Sequence, residues 1–408
     1  MTTPAPTLRA LAPSVFLPAL VYEIGNGAIA PIIALTAIGL GASTAVAGLI
    51  LTLLAVGQIA GNVPSGVLVS RLGDRGAMVV SAGIATVALF TCFAAPGLVV
   101  FGVAVTVIGM CNATFYLGRQ HYITEVVPPT TRAVALSTLG GAHRIGLFLG
   151  PFAGALAIHL FSTRAAYLVG VAAALAAALC LLTIPDLAKL PERAGVAPAK
   201  PDLRGVLRSH GHLFATLGVA VLAVGAARSA RQTVVPLWAA HVGLDATTTS
   251  IIFGVGTAVD MVLFYPAGWV MDQYGRLAVA IPSMLILGGA TALLPLAHSA
   301  APIAVAAIVM GFGNGLGSGI IMTIGADVAP ESGKVSFLSV WRALTDTGGA
   351  LGPLVVALLA AAWSVVAGIV AVGGVGLLAA LALGRWVPMH SAYASPRMMR
   401  AARGEAST

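Results

Sequence analysis

The sequence predicts an all-α membrane protein: twelve transmembrane helices in two pseudo-symmetric six-helix bundles, with both termini cytoplasmic. Three observations predict it. The 408 residues are 59% hydrophobic and only 8% charged, with mean hydropathy +1.00. A soluble chain needs about a quarter of its residues charged to cover its surface, so this one belongs in a bilayer. Apolar runs of roughly 20 residues, enough to cross about 30 Å of hydrocarbon, recur twelve times. The second half of the chain also repeats unusual residues of the first at one constant offset.

In order, the first span covers 11–36. Arg9 ahead of an apolar run resembles a signal peptide, but Glu23 in its middle and eleven further spans argue for a retained helix. Spans 44–69 and 77–95 flank the charged gap around RLGDRG, and 98–122 follows Pro96-Gly97. Spans 134–158 and 164–184 complete an N-terminal bundle, 1–184. Residues 185–211, rich in Pro and charge and without apolar periodicity, form a cytoplasmic linker with one short amphipathic helix on the membrane surface. Spans 212–239, 246–270, 277–297, 301–324, 336–362 and 364–386 make the C-terminal bundle, 212–386. Residues 387–408 read as a disordered cytoplasmic tail.

Orientation follows from the basic residues. With the N-terminus inside, fifteen Lys and Arg fall on the inner side and only Arg164 on the outer, as the positive-inside rule demands. The net charge of +8 forms no dense basic stripe, which argues against nucleic acid. Cys92, Cys111 and Cys180 lie far apart in apolar segments and offer neither a disulfide framework nor metal-ligand spacing. No HExxH occurs, and GLGSG at 315–319 reads as small-residue helix packing, so an enzyme is not expected, nor a metal or other cofactor. Eighteen Arg against three Lys, with high Ala content, point to a GC-rich bacterium and hence its cytoplasmic membrane.

Sliding the second half by 202 positions sets Pro64 on Pro266, Gly66 on Gly268, Gly73 on Gly275 and Asn112 on Asn314. EVVP at 125–128 meets DVAP at 327–330, and Gly146, Gly150 and Pro151 meet Gly348, Gly352 and Pro353. One offset serving three separated regions marks an internal duplication. Parallel six-helix repeats of this kind belong to secondary transporters, with a site between the halves.

The six-plus-six plan and the charged turn repeated between helices 2–3 and 8–9 resemble the major facilitator superfamily, over the whole chain. The family turn, roughly G-x-x-x-D-x-x-G-R/K, is kept as Gly268, Asp272, Gly275 and Arg276. The first copy keeps Gly66 and Gly73 but has Ser70 at the acidic position, with Asp74 and Arg75 shifted along. The resemblance implies a latch for the outward-facing state, resting here on Asp272 and Arg276; the alternative is a topology anchor. In helix 5, Gly146, Gly150, Pro151 and Gly154 resemble the antiporter motif of the family's drug/proton exchangers. Close helix packing is the competing reading, since helix 11 partly repeats the pattern. The Arg that many family exporters carry early in helix 4, four residues before a Gly, is absent: Val105 precedes Gly109 at that spacing, and the proton-relay role is not carried over to Arg119.

Ionisable groups at bilayer depth are functional candidates by default: Glu23, Arg119, Arg144, Arg228, Arg231, Asp260, Arg342 and Asp346, with His121 and His143 nearby. Glu23 is the sharpest proton-coupling candidate, a carboxyl without a partner in mid-helix, with a structural ion pair to Arg228 or Arg231 as the alternative; Asp260 and Asp346 follow it. Arg144 and Asp260 each stand roughly 15 Å deep, an expected interface pair between helices 5 and 8 with Gln58–Asp346 as its symmetry mate. Arg342 and Asp346, four apart, are expected to neutralise each other. Arg228, Arg231, Arg119, Tyr22, Asn26, Asn112, Tyr116 and Trp238 are candidate cavity liners, the two helix-7 arginines suited to an anionic or zwitterionic group. The expected function is a monomeric, proton-coupled exporter of small organic molecules by alternating access; the alternative is an importer or facilitator of an anionic or zwitterionic metabolite.

Overall fold

The computed structural model describes residues 12–127, 129–183, 203–330 and 334–398. Among these, twelve helical stretches are long and apolar enough to cross a membrane: α1 (Leu17–Gly39), α2 (Thr44–Asn62), α3 (Pro64–Ala94), α4 (Leu98–Ile123), α5 (Thr138–Leu160), α6 (Ala165–Leu182), α7 (Gly211–Val242), α8 (Ala246–Leu263), α9 (Leu277–Leu296), α10 (Ala300–Val328), α11 (Val340–Ala362) and α12 (Val365–His390). Side chains such as Val87, Val99, Leu156, Val262 and Leu378 are exposed, as a lipid-facing surface requires. Buried positions are dominated by Ala and other small residues, because helices in lipid associate through close backbone packing.

The helical stretch Thr44–Ala94 is interrupted at Gly73, with φ 70° and ψ 169°. Gly275, its counterpart at the offset of 202, has φ 85°. Both repeated turns therefore demand a residue without Cβ, which explains why these glycines survive in both copies. Two spans are broken. Residues 30–32 leave the helix in α1, and α10 stops at Leu316 and restarts at Ile320 after Gly319 at φ 80°.

The chain divides into two compact units. One holds α1–α6 with the opening residues of α8 to Gly254; the other holds α7, the rest of α8 and α9–α12. The expected boundary in the linker thus misses the start of α8. Gly254 accounts for that: a Cβ there would lie 2.9 Å from the Phe152 ring and 3.2 Å from Pro151. Within the first unit α1 packs chiefly on α5 and α6, and within the second α7 packs on α11 and α9 on α12.

Two expectations at the C-terminal side are corrected. The last helix runs to His390, not 386. Residues 391–398 pack rather than forming a disordered tail: Ala394 is fully buried, and the Arg276 and Leu277 amides donate to the Tyr393 and Ala394 carbonyls at 3.1 Å each. Those amides open α9 and have no acceptor within its first turn, so the segment after α12 caps it. The linker's described end, Leu203–Ser209, is helical; residues 185–202 and 399–408 lie outside the described residues.

Candidate functional site

Among the described residues, each unit buries a cluster of charged and polar side chains. In the first, Asn112, Phe115, Tyr116 and Arg119 share one face of α4, at the three- and four-residue spacing of a helix. Opposite them α1 presents Tyr22, Glu23 and Asn26. Glu23 has no exposed surface. Its Oε1 accepts from Arg119 at 3.1 Å and lies 3.0 Å from His143 Nδ1. Its Oε2 accepts from Asn26 Nδ2 at 3.1 Å and from the Tyr116 hydroxyl at 3.4 Å. The Arg119 guanidinium also lies 4.2 Å from the Tyr116 ring centroid, a cation–π contact. Tyr22 stacks on Phe115 at 4.0 Å and donates to Asn112 Oδ1 at 2.9 Å.

This corrects one expectation. Glu23 is not a carboxyl without a partner; four groups surround it, as a charge buried in a bilayer requires. Arg119 is only 6% exposed and is the cation against it.

His143 reaches Glu23 because of the glycine row that follows it. A Cβ on Gly146 would fall 2.5 Å from the Leu20 carbonyl oxygen and 2.6 Å from Glu23 Cβ; one on Gly150 would meet the Ile24 carbonyl and Gly27, and one on Gly154 the Ala28 carbonyl at 2.9 Å. The row seats α5 on the backbone of α1. Gly348 and Gly352 do the same for α11 on α7, against Leu222 and Ala226. A feature built alike in both units answers to packing and does not by itself argue for antiport.

In the second unit Arg228 donates to Asn314 Oδ1 at 2.9 Å, to the Gly317 carbonyl at 3.0 Å and to the Asn314 carbonyl at 3.3 Å. It thereby satisfies backbone acceptors released where α10 breaks, which bare lipid could not do. Asn314 Nδ2 donates to Asp260 Oδ2 at 2.6 Å, and Arg231 reaches the same oxygen at 3.3 Å. Asn112 and Asn314 thus play matching parts, each accepting through Oδ1 from the first helix of its own bundle. Arg144 belongs to the first unit and Asp260 to the second; within its own unit Asp260 is engaged by Arg231 and Asn314.

The remaining candidates are more dispersed. Trp238 is buried and gives its indole N–H to the Ala297 carbonyl at 2.7 Å. Arg342 and Asp346 lie 3.8 Å apart with both side chains well exposed. In the second turn Arg276 grips Asp327 with two hydrogen bonds, 2.8 and 3.2 Å, and Asp327 holds its guanidinium above the ordinary value. Asp272 is 3.5 Å away but exposed, so Asp327 is the stronger partner of Arg276. In the first turn Asp74 is buried with both oxygens within 3.0 Å of His121 Nδ1, and Arg75 donates to the Leu182 carbonyl. His143 was legible in the sequence as an ionisable residue at depth, but its role was not. Its place three positions before Gly146 was the available signal.

A family model described as Major Facilitator Superfamily matches residues 15–336 and 217–400. No curated protein matches. Among solved structures, the nucleoside transporter NupG is 14% identical with TM-score 0.69, covering 92% of this chain and 96% of its own. A D-xylose-proton symporter is 17% identical with TM-score 0.65, covering 91% and 96%. A bacterial homologue of the human lysosomal transporter Spinster, inward-facing and unoccupied, is 16% identical with TM-score 0.71, covering 96% and 98%.

Proposed function

The chain belongs to the Major Facilitator Superfamily, a family of multi-pass membrane transporters, and from that premise we propose that it is a proton-coupled exporter of small organic molecules in a bacterial cytoplasmic membrane. The observation that carries this reading is the Glu23 cluster. A carboxylate buried at mid-span is costly, and here it is wrapped by a cation, an imidazole and two neutral donors. Such a site can exchange a proton when its partners rearrange, which couples proton flow to alternating access. The aromatic side chains Tyr22, Phe115 and Tyr116 beside it suit moderately lipophilic molecules. The protein acts as a monomer in this reading.

A second reading is import or facilitated passage of an anionic or zwitterionic metabolite. It is favoured by Arg228 and Arg231 on α7 and by Arg231 Nε, which is buried without a hydrogen-bond partner among the described residues.

Drug and dye tolerance in a pump-deficient bacterial host, wild type against Glu23→Gln, tests the first reading with cationic, neutral and anionic compounds. The expected result is tolerance to some compounds that the substitution abolishes at unchanged expression. Accumulation of an anionic metabolite, with no tolerance to any compound, would overturn export in favour of import.

A further inference from the structure

We propose that His143 is the proton relay of Glu23: the group through which water reaches the buried carboxylate, and which changes partner when the proton moves. The inference rests on the reading of Glu23 as a proton-exchanging group and names the residue that serves it.

Glu23 has a fully buried side chain, so it cannot trade a proton with water directly. Of the two cationic or basic partners on its Oε1, the Arg119 side chain is 8% exposed and does not release a proton in proteins. The His143 side chain is 29% exposed, and an imidazole can both take up and give up a proton. It is the partner with both exposed surface and the chemistry. Its Nδ1 lies 3.0 Å from Glu23 Oε1 and 3.5 Å from an Arg119 terminal nitrogen. One nitrogen therefore faces an anion and a cation. Carrying hydrogen, it can only donate, and Glu23 is the acceptor. Without hydrogen it can only accept, and Arg119 is the donor.

The transfer balances simply. The Nδ1–H bond of the imidazolium breaks and an O–H bond forms on Glu23 Oε1. The imidazolium becomes neutral imidazole, the carboxylate becomes a neutral acid, and the cluster keeps a net charge of +1. The lone pair left on Nδ1 then receives the Arg119 N–H. That contact engages the guanidinium as it loses its anion, so the two arrangements form a discrete pair.

Within its unit, the charged and titratable groups facing His143 are Glu23 from α1, with Tyr22 behind it, and Tyr116 and Arg119 from α4. Its chain neighbour on α5 is Arg144, and α6 carries no charged residue along Ala165–Leu182. The Tyr116 ring packs edge-on against the imidazole at 5.6 Å and fixes its orientation.

The test uses full-length protein with 15N-labelled histidine in lipid nanodiscs, titrated from about pH 5 to 9. His143→Asn assigns the resonance by its loss, and it retains an N–H donor near the place of Nδ1, so the cluster can fold without a proton carrier. The expected result is a His143 resonance whose midpoint falls by about one pH unit in Glu23→Gln, a tenfold loss of proton affinity, and rises in Arg119→Gln. His143→Asn should also lose tolerance as Glu23→Gln does, at unchanged expression. A His143 midpoint indifferent to both substitutions overturns the relay, even if Glu23 proves essential for export. If the midpoint follows Glu23 while no compound depends on either residue for tolerance, the link between the two groups stands and the export reading falls.

Discussion

Glu23 and Arg119 are 96 positions apart and meet at 3.1 Å with almost no exposed surface. Removing one member of a buried pair leaves an uncompensated charge, whereas removing both does not. Arg119→Gln is therefore expected to cost about 3 kcal/mol of stability, and the double variant Arg119→Gln with Glu23→Gln to cost less than Arg119→Gln alone. Thermal unfolding of the four proteins of this cycle measures it. Additive losses would mean that the two charges do not depend on each other. The acid was legible in the sequence because a carboxylate in an apolar helix stands out. Its partner was not. The sequence suggested Arg228 or Arg231, since the depth of Arg119 cannot be read from a span whose ends are uncertain, and the helical face shared by Asn112, Tyr116 and Arg119 says nothing of what it opposes.

At the level of elements, the glycine row of α5 decides whether His143 reaches α1. Gly150 is the tightest point, against the Ile24 carbonyl and Gly27. Gly150→Val should push the helices apart, cost about 1–3 kcal/mol through overpacking, and uncouple the His143 resonance from Glu23. Gly66→Ala is the control: a Cβ there meets nothing within 4 Å, so stability and the resonance should stay as in wild type. Equal loss in both variants would show that glycine content, not this contact, matters. The row itself was visible in the sequence as a four-residue spacing. That it serves packing in both units needed coordinates, because a spacing along one helix cannot choose the partner helix; only the positions of Leu222 and Ala226 beneath Gly348 and Gly352 do. The break in α10 was missed for a related reason. GLGSG favours close packing and a left-handed turn alike, and φ 80° at Gly319 selects the turn.

For the whole molecule, the duplication supplies the plan and divergence supplies the chemistry. The offset of 202 aligns Asn112 with Asn314, yet it sets Glu23 on Gly225 and Asn26 on Arg228, so the acid of one unit has a glycine as its counterpart and the cation of the other an amide. From twelve spans and the fifteen-to-one bias of basic residues we propose that both termini lie inside. In a Cys180→Ser background, Ser162→Cys, exposed beside Arg164, should react with an impermeant maleimide added to whole cells. Ala392→Cys, exposed beyond α12, should react only after lysis. The opposite pattern would invert the topology.

Composition and the repeat alone determined that this is a twelve-helix membrane protein of duplicated plan, because transfer into lipid sums over about 20 neighbouring residues and needs no knowledge of contacts. Tertiary structure alone decided which charges meet, that α10 breaks, and that the chain after α12 caps α9. Those outcomes depend on ångström-scale approach between residues far apart in the chain, and no local sum contains that distance.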